Sequence, residues 1–222
     1  MTGRRVDSAT VPKRSPKTAG EFMAELRADP AMRAAMERTE AALRQRQAAL
    51  RVAQEPLLSD LRHVGINVDS VWLLYKQRPY PSAIPVLLEH LERPYLREIR
   101  DGIARALAVP EASWAWASLQ MLLYREPAGP RHVKFALALA VVGAAPKGSL
   151  ERLLELIRDS SLGQSRLAFV SPLMRSKNPR AIQTLEQLRN DPDLTKEVQF
   201  RLGQRAKRLQ RRARGSAHGK NR

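Results

Sequence analysis

The residue types that carry most acid–base, nucleophilic and metal chemistry are scarce in this sequence. Its 222 residues include no Cys, and the four His lie apart from one another and from any ligand set at helical spacing. No G-x-S-x-G elbow and no glycine-rich phosphate loop occurs, so the sequence predicts no catalytic, cofactor-binding or metal-ligating residue. His90, next to Glu89 on a predicted helix, is interpreted as part of a half-exposed surface pair.

Basic side chains are the chemical groups that the chain has in excess. Lys and Arg number 39 against 22 Asp and Glu, which gives a net charge of +17; residues 1–20 carry +4 of it and residues 201–222 carry +9. Such clusters favour acidic partners, nucleic acid among them, and a merely solubilising tail is the alternative. Both ends lack Phe, Trp and Tyr, so any contact is expected with phosphates and not with bases. The candidate phosphate contacts at the C-terminal end are Arg205, Lys207, Arg208, Arg211 and Arg212.

Helices must position these cations, because apolar residues recur at helical spacing from about residue 20 and no segment alternates like a strand. A long helix is predicted from Pro30 to about Gln54, with an apolar stripe that docks on the rest of the protein. The last helix is predicted at 194–212. Residues 1–20 have too few apolar side chains to offset the entropy of ordering and are predicted to be disordered.

The helices recur in pairs at nearly constant spacing. Four similar first helices end at Pro94, Pro127, Ser160 and Pro192, which lie 33, 33 and 32 residues apart, and a second helix follows each end. A two-helix unit repeated at this period predicts an α-solenoid, since each pair buries its apolar face only by stacking on its neighbours. A generic helical bundle is the alternative.

Residues 83–112, AIPVLLEHLERPYLREIRDGIARALAVPEA, resemble a HEAT repeat: a first helix, a turn, the step Ile99–Arg100 and an Ala-rich second helix. The second unit keeps the step as Val133–Lys134. The third unit departs from it with Leu167–Ala168, and it places Pro172 inside the helix, where a kink is expected. The whole chain also resembles small bacterial HEAT-repeat proteins.

This resemblance implies an all-α fold, a right-handed α-solenoid of about four HEAT-like helix pairs. The repeats would span residues 66–202, after a disordered segment at 1–20 and an N-terminal helical cap at 21–65. Residues 203–222 would form a basic helix end and tail. A fold of this kind says little about function.

The second helices of a solenoid commonly line its concave face, where partners bind. Arg100 and Lys134 recur at equivalent repeat positions, although ion pairs between repeats are an alternative role for these cations.

Trp114 and Trp116 follow Ser113, a plausible N-cap. Their side chains point to different sides of a helix, so Trp116 is predicted in the core and Trp114 at the surface. The candidate partner-binding residues are Arg97, Arg100, Asp101, Trp114, Arg131, Lys134 and Arg166.

Two functions are open on these observations. The first is a cytoplasmic, non-enzymatic scaffold or adaptor that binds a protein partner along the concave face. The second is a nucleic-acid-binding module that holds phosphates with its basic ends and concave Arg and Lys. A DNA glycosylase on HEAT-like repeats is the enzymatic version, but no catalytic carboxylate or aromatic cage can be placed for it. No membrane-spanning segment is expected.

Overall fold

The computed structural model describes residues 18–127 and 133–218, and within these ranges the chain forms helices and loops without a strand. This confirms the all-α prediction. The predictions for 1–17, Arg131 and 219–222 lie outside the described residues. The α-helices in the described ranges are α1 (Ala19–Ala28), α2 (Pro30–Ala53), α3 (Glu55–His63), α4 (Ala83–Leu91), α5 (Arg97–Ala106), α6 (Trp116–Arg125), α7 (Val133–Gly143), α8 (Leu150–Arg158), α9 (Leu167–Arg175), α10 (Pro179–Gln187) and α11 (Thr195–His218).

Short 3₁₀ helices replace α-helix at three places, Val71–Gln77, Pro110–Ala115 and Ser160–Arg166. The first lies within the region where the apolar spacing predicts α-helix, so a 3₁₀ helix takes its place there. The second contains Ser113, so the prediction that this residue caps a helix is wrong: α6 begins three residues later without a side-chain cap.

The chain divides into two compact units, Met1–Ala49 and Leu50–Arg222. In the first unit, Thr18 and Glu21 form a reciprocal capping box at the start of α1. Asp29 caps α2 by accepting a hydrogen bond from the Ala31 amide at 2.9 Å. No residue of α2 is buried, and Leu43 in the middle of its apolar stripe is exposed, whereas Leu50 at the end of the stripe is half-buried against the core of the second unit.

The second unit begins at Leu50, within the predicted cap at 21–65. Leu57, Leu58 and Leu61 of α3 are buried members of its hydrophobic core, so the end of the predicted cap packs on the repeat region. A mostly aliphatic core then continues through every helix from α3 to the start of α11.

Helices of the second unit pack as pairs, α4 on α5, α6 on α7, α8 on α9 and α10 on α11. The second members also pack on one another in order, from the 3₁₀ helix Val71–Gln77 through α5, α7 and α9 to α11. Small residues allow this close approach. A Cβ atom on Gly143 would lie only 2.4 Å from the backbone of Ala108, and one on Gly102 would lie 2.8 Å from Val71.

Candidate nucleic-acid interface

Arg100 and Lys134, the two cations at equivalent repeat positions, both bind the end of helix α6. The Arg100 guanidinium donates to both carboxylate oxygens of Glu126, at 3.2 and 2.7 Å, and to the carbonyl oxygen of Leu91 at 3.3 Å. The Lys134 ammonium donates to the backbone carbonyl of Glu126 at 2.9 Å. Both side chains are half-buried, so their donors serve the packing between helices before any partner arrives.

Arg166 does not lie on a binding surface, which corrects its assignment as a partner contact. Its side chain is 1% exposed, and it donates to Asp191 at 2.8 and 2.9 Å and to Asp193 at 3.0 Å. The carbonyls of Gly163 and Ile157 accept its remaining hydrogen bonds. A buried guanidinium needs this full set of acceptors, since an unpaired charge in the interior is strongly destabilising.

The pKa of the Asp191 carboxyl is affected by its contact with Arg166. Burial raises the pKa of its carboxyl, but the hydrogen bond from Arg166, the backbone amides of Asp193 and Leu194 and the positive charge of Arg166 outweigh that effect. The pKa of Asp191 is therefore lowered, and the ionised form that holds Arg166 is favoured.

A polar bond crosses each boundary between successive helix pairs. The acceptors occupy equivalent places at the ends of first helices, at Glu126, Asp159 and Asp191. Arg100 crosses the first boundary and Arg166 the third, while at the second the Tyr124 hydroxyl bonds Asp159 at 2.7 Å. Two of the predicted concave cations, Arg100 and Arg166, are thus used to join one helix pair to the next.

The other predicted partner residues lie in mixed surroundings. Arg97 is exposed, whereas Asp101 is buried and accepts from Arg105 at 2.9 Å. Trp114 is 65% exposed, as the sequence predicts. Trp116 is half-buried against the core and donates from its indole nitrogen to the carbonyl of Val141 at 2.8 Å.

His90 is completely buried, so its interpretation as a half-exposed surface residue is wrong. One ring nitrogen lies 2.8 Å from an Asp60 carboxylate oxygen of α3, and the other lies 2.7 Å from the Tyr95 hydroxyl. The hydrogen bond with His90 lowers the pKa of Asp60. This chain of three side chains joins α3 to α4, and within the described residues no group of three or more His, Asp or Glu is placed to hold a metal ion.

The cations of helix α11 have a different environment from those of the repeat body. Val198 is buried and Leu202 half-buried, but from residue 203 the described side chains of α11 are all exposed. No acidic residue follows Glu197 in the sequence, and Glu197 itself pairs with Arg201 at 2.6 Å. The helix continues to His218, beyond the predicted end near residue 212.

Four of the five predicted phosphate contacts have described side chains, and all four are exposed: Arg205, Lys207, Arg208 and Arg211. The side chain of Arg212 lies outside the described part. Arg205 and Arg208 make no ion pair with any described residue, in contrast to Arg100 and Arg166.

A groove of about 560 Å³ runs between the C-terminal end of α9 and one face of α11. Its cations are Arg175, Arg201, Arg205 and Arg208, and its apolar surface comes from Met174, Phe200 and Leu209. Arg175 is exposed, and its only hydrogen-bond partner among the described residues is the Ser171 hydroxyl, at 3.1 Å. The groove therefore combines an excess of positive charge with an exposed apolar floor.

Phe200 is the residue of this groove that the sequence reasoning missed. A search for aromatic residues confined to 201–222 stops one residue short of it. The spacing holds the signal: Val198 and Leu202 face the core, and a residue midway between them in a helix must face away from it.

No protein-family model matches the chain, and neither a curated protein nor a solved structure shows significant similarity to it. None of the described helices combines the length and the apolar character that crossing a membrane requires. The assignment of an interface therefore depends on the residues of the groove beside α11.

Proposed function

We propose that the protein is a cytoplasmic, non-enzymatic helical-repeat module that binds nucleic acid through the basic face of α11. The observation that carries this proposal is the contrast between two sets of cations. Arg100 and Arg166 are used inside the repeat body, whereas Arg205 and Arg208 are exposed without an acidic partner in the described part of the chain.

In this proposal the helix pairs form a right-handed α-solenoid of the HEAT type. Two observations support it: the ordered packing of α5, α7, α9 and α11, and the polar bond at each boundary between pairs. A solenoid holds a terminal helix at one end of its stack, and the described side chains of α11 from residue 203 onward are exposed.

Unpaired cations bind phosphates by releasing condensed counterions from the nucleic acid. Cations already neutralised by carboxylates contribute much less to this release. Arg205 and Arg208 are therefore expected to carry more of the affinity than exposed arginines of the repeat body, even though the formal charge is equal.

The test compares two double variants of equal net charge by fluorescence anisotropy with a 20-base single strand and a 20-base-pair duplex. Arg205→Gln/Arg208→Gln should weaken binding of both ligands about tenfold at low salt. Arg62→Gln/Arg180→Gln, which removes two exposed arginines of the body that pair with Glu55 and Glu151, is the matched control and should change affinity less than twofold. Equal losses in both variants would mean that only net charge matters, and no binding by the intact protein would reject the proposal.

An adaptor that binds a protein partner remains the second candidate function, because two aromatic side chains are strongly exposed. Tyr75 of the 3₁₀ helix Val71–Gln77 is 60% exposed, and Trp114 is exposed to a similar degree. Tyrosine and tryptophan are enriched among the residues that anchor protein interfaces. Affinity capture with Tyr75→Ser and Trp114→Ser should lose a specific partner that the intact protein retains. Substitutions of Arg100 or Lys134 do not test this function, since both side chains bind the end of α6 and their loss would also disturb the packing of helices.

A further inference from the structure

Phe200 lies on the face of α11 that points away from the core and lines the groove. It is 57% exposed, although burying a Phe side chain stabilises a fold by roughly 1.5–3 kcal/mol. Its helical neighbours Val198 and Leu202 supply the apolar contacts to the core, and Phe200 lies about 200° around the helix from each of them. The fold therefore presents an aromatic ring to the groove without needing that ring for its own packing.

The surroundings of this ring are cationic. Arg175 borders the groove from α9, and Arg201, Arg205 and Arg208 border it from α11. Arg201, Arg205 and Arg208 follow at four- and three-residue spacing, which places them on one face of the helix over a rise of about 10 Å. Arg201 is already paired with Glu197, so Arg205 and Arg208, about 4.5 Å apart along the helix axis, are the members of this row available to phosphates.

We infer that the groove binds single-stranded nucleic acid, with one base stacked on Phe200 and the neighbouring phosphates held by Arg205 and Arg208. This inference rests on the proposed function and specifies its ligand. A single strand offers both a base face and a backbone, so it can use the ring and the cations together. A duplex keeps its base faces stacked inside and can use only the cations.

An acidic peptide is the competing occupant of a groove with an apolar floor and a positive rim. Charge continuity favours the nucleic acid: the exposed cations continue past the groove to Arg211, three residues beyond Arg208, as a regular chain of phosphates requires. The inference therefore predicts that an oligoglutamate of equal charge competes poorly with the single strand.

The experiment measures dissociation constants for 12-nucleotide oligothymidylate and oligouridylate, and for a 12-base-pair duplex, with the full chain. Stacking on an aromatic side chain is worth about 1–3 kcal/mol per base, so Phe200→Ala should weaken single-strand binding roughly 5- to 150-fold. Duplex affinity should change less than twofold. Phe200→Trp should retain single-strand binding, and Phe200→Leu, which keeps an apolar side chain without a π-face, should lose it.

Thermal midpoints of the Phe200 variants within about 2 °C of the intact protein establish that the fold is kept. Single-strand affinity that is unchanged in Phe200→Ala, or equally strong in Phe200→Leu, would overturn the stacking inference. So would effective competition by oligoglutamate. If the Arg205→Gln/Arg208→Gln variant still shows its loss in that case, the proposed function stands and only the assignment of a single strand fails.

Discussion

Replacing Arg166 by Ala removes an almost completely buried charge. Its 1% exposed guanidinium is held by Asp191, Asp193 and two backbone carbonyls, all of which lose a donor in the variant. Breaking a buried ion pair from one side destabilises proteins by about 3–5 kcal/mol. For a domain of 150–250 residues this corresponds to a fall in the thermal midpoint of about 6–20 °C.

The measurement is urea and thermal unfolding followed by circular dichroism at 222 nm. Arg175→Ala is the matched control, because this exposed arginine has only the Ser171 hydroxyl as a partner and should change stability by less than about 0.5 kcal/mol. Hydrogen exchange should place the Arg166→Ala loss in α9 and α10, which the ion pairs join. A loss below about 1 kcal/mol, or the same loss in Arg175→Ala, would refute the role assigned to Arg166.

Three further perturbations test the packing and electrostatics of the second unit. Gly143→Ala should destabilise the fold by about 1–3 kcal/mol, because its Cβ would meet the backbone of Ala108 in the preceding helix pair. A Cβ on Gly203 would meet nothing within 4 Å, so Gly203→Ala should raise the free energy of unfolding by as much as about 1 kcal/mol; thermal unfolding measures both changes. The lowered pKa of Asp191 stabilises the fold above the ordinary aspartate value of about 3.9 and ceases to do so as pH falls through the lowered value. Urea midpoints should therefore fall more steeply below about pH 4 in the native chain than in Asp191→Asn, and parallel curves would contradict this. His90→Ala loses two hydrogen bonds and should lower the free energy of unfolding by about 2 kcal/mol, whereas His63→Ala, at an exposed histidine, should change it little. Equal effects of the two substitutions would contradict the role of His90 in joining α3 to α4.

Helix content and helix pairing could be predicted because their signals are local. Apolar spacing, Pro and Gly at the breaks, and a period near 33 residues all act within one or two helices. The residue at which the second compact unit begins was harder to predict. The affiliation of α3 with the core depends on contacts made by Leu57 and Leu61, and no composition change in the sequence marks it.

The recurrence of Arg100 and Lys134 was visible in the sequence, but their role was not. A repeat position shows that a cation is used in the same place in each pair and does not reveal its partner. Glu126 follows Arg100 by 26 residues, and the two meet only when one pair stacks on the next. The interpretation of His90 as a surface residue was wrong for the same reason, because its partner Asp60 lies 30 residues earlier on another helix.

The exposed position of Phe200 could have been predicted from the sequence if the basic C-terminal end had been taken to begin before residue 201. Charge counting separates a basic end from the body at residue 201, whereas the helix containing both runs from Thr195 to His218. A helical projection of the entire segment places Phe200 opposite Val198 and next to Arg201. The groove itself could not be predicted, because Met174 and Arg175 reach it from α9 across the fold.

The measurement that tests the central claim most directly is the salt dependence of single-strand binding by the intact protein and by Arg205→Gln/Arg208→Gln. For single strands, each phosphate contact contributes about 0.7 to the slope of log affinity against log salt concentration. Loss of two contacts should therefore reduce the magnitude of the slope by about 1.4, and the Arg62→Gln/Arg180→Gln control, whose arginines pair with Glu55 and Glu151, should leave it nearly unchanged. A slope that is equal in the intact protein and in the α11 variant would contradict the claim that this helix holds the phosphates.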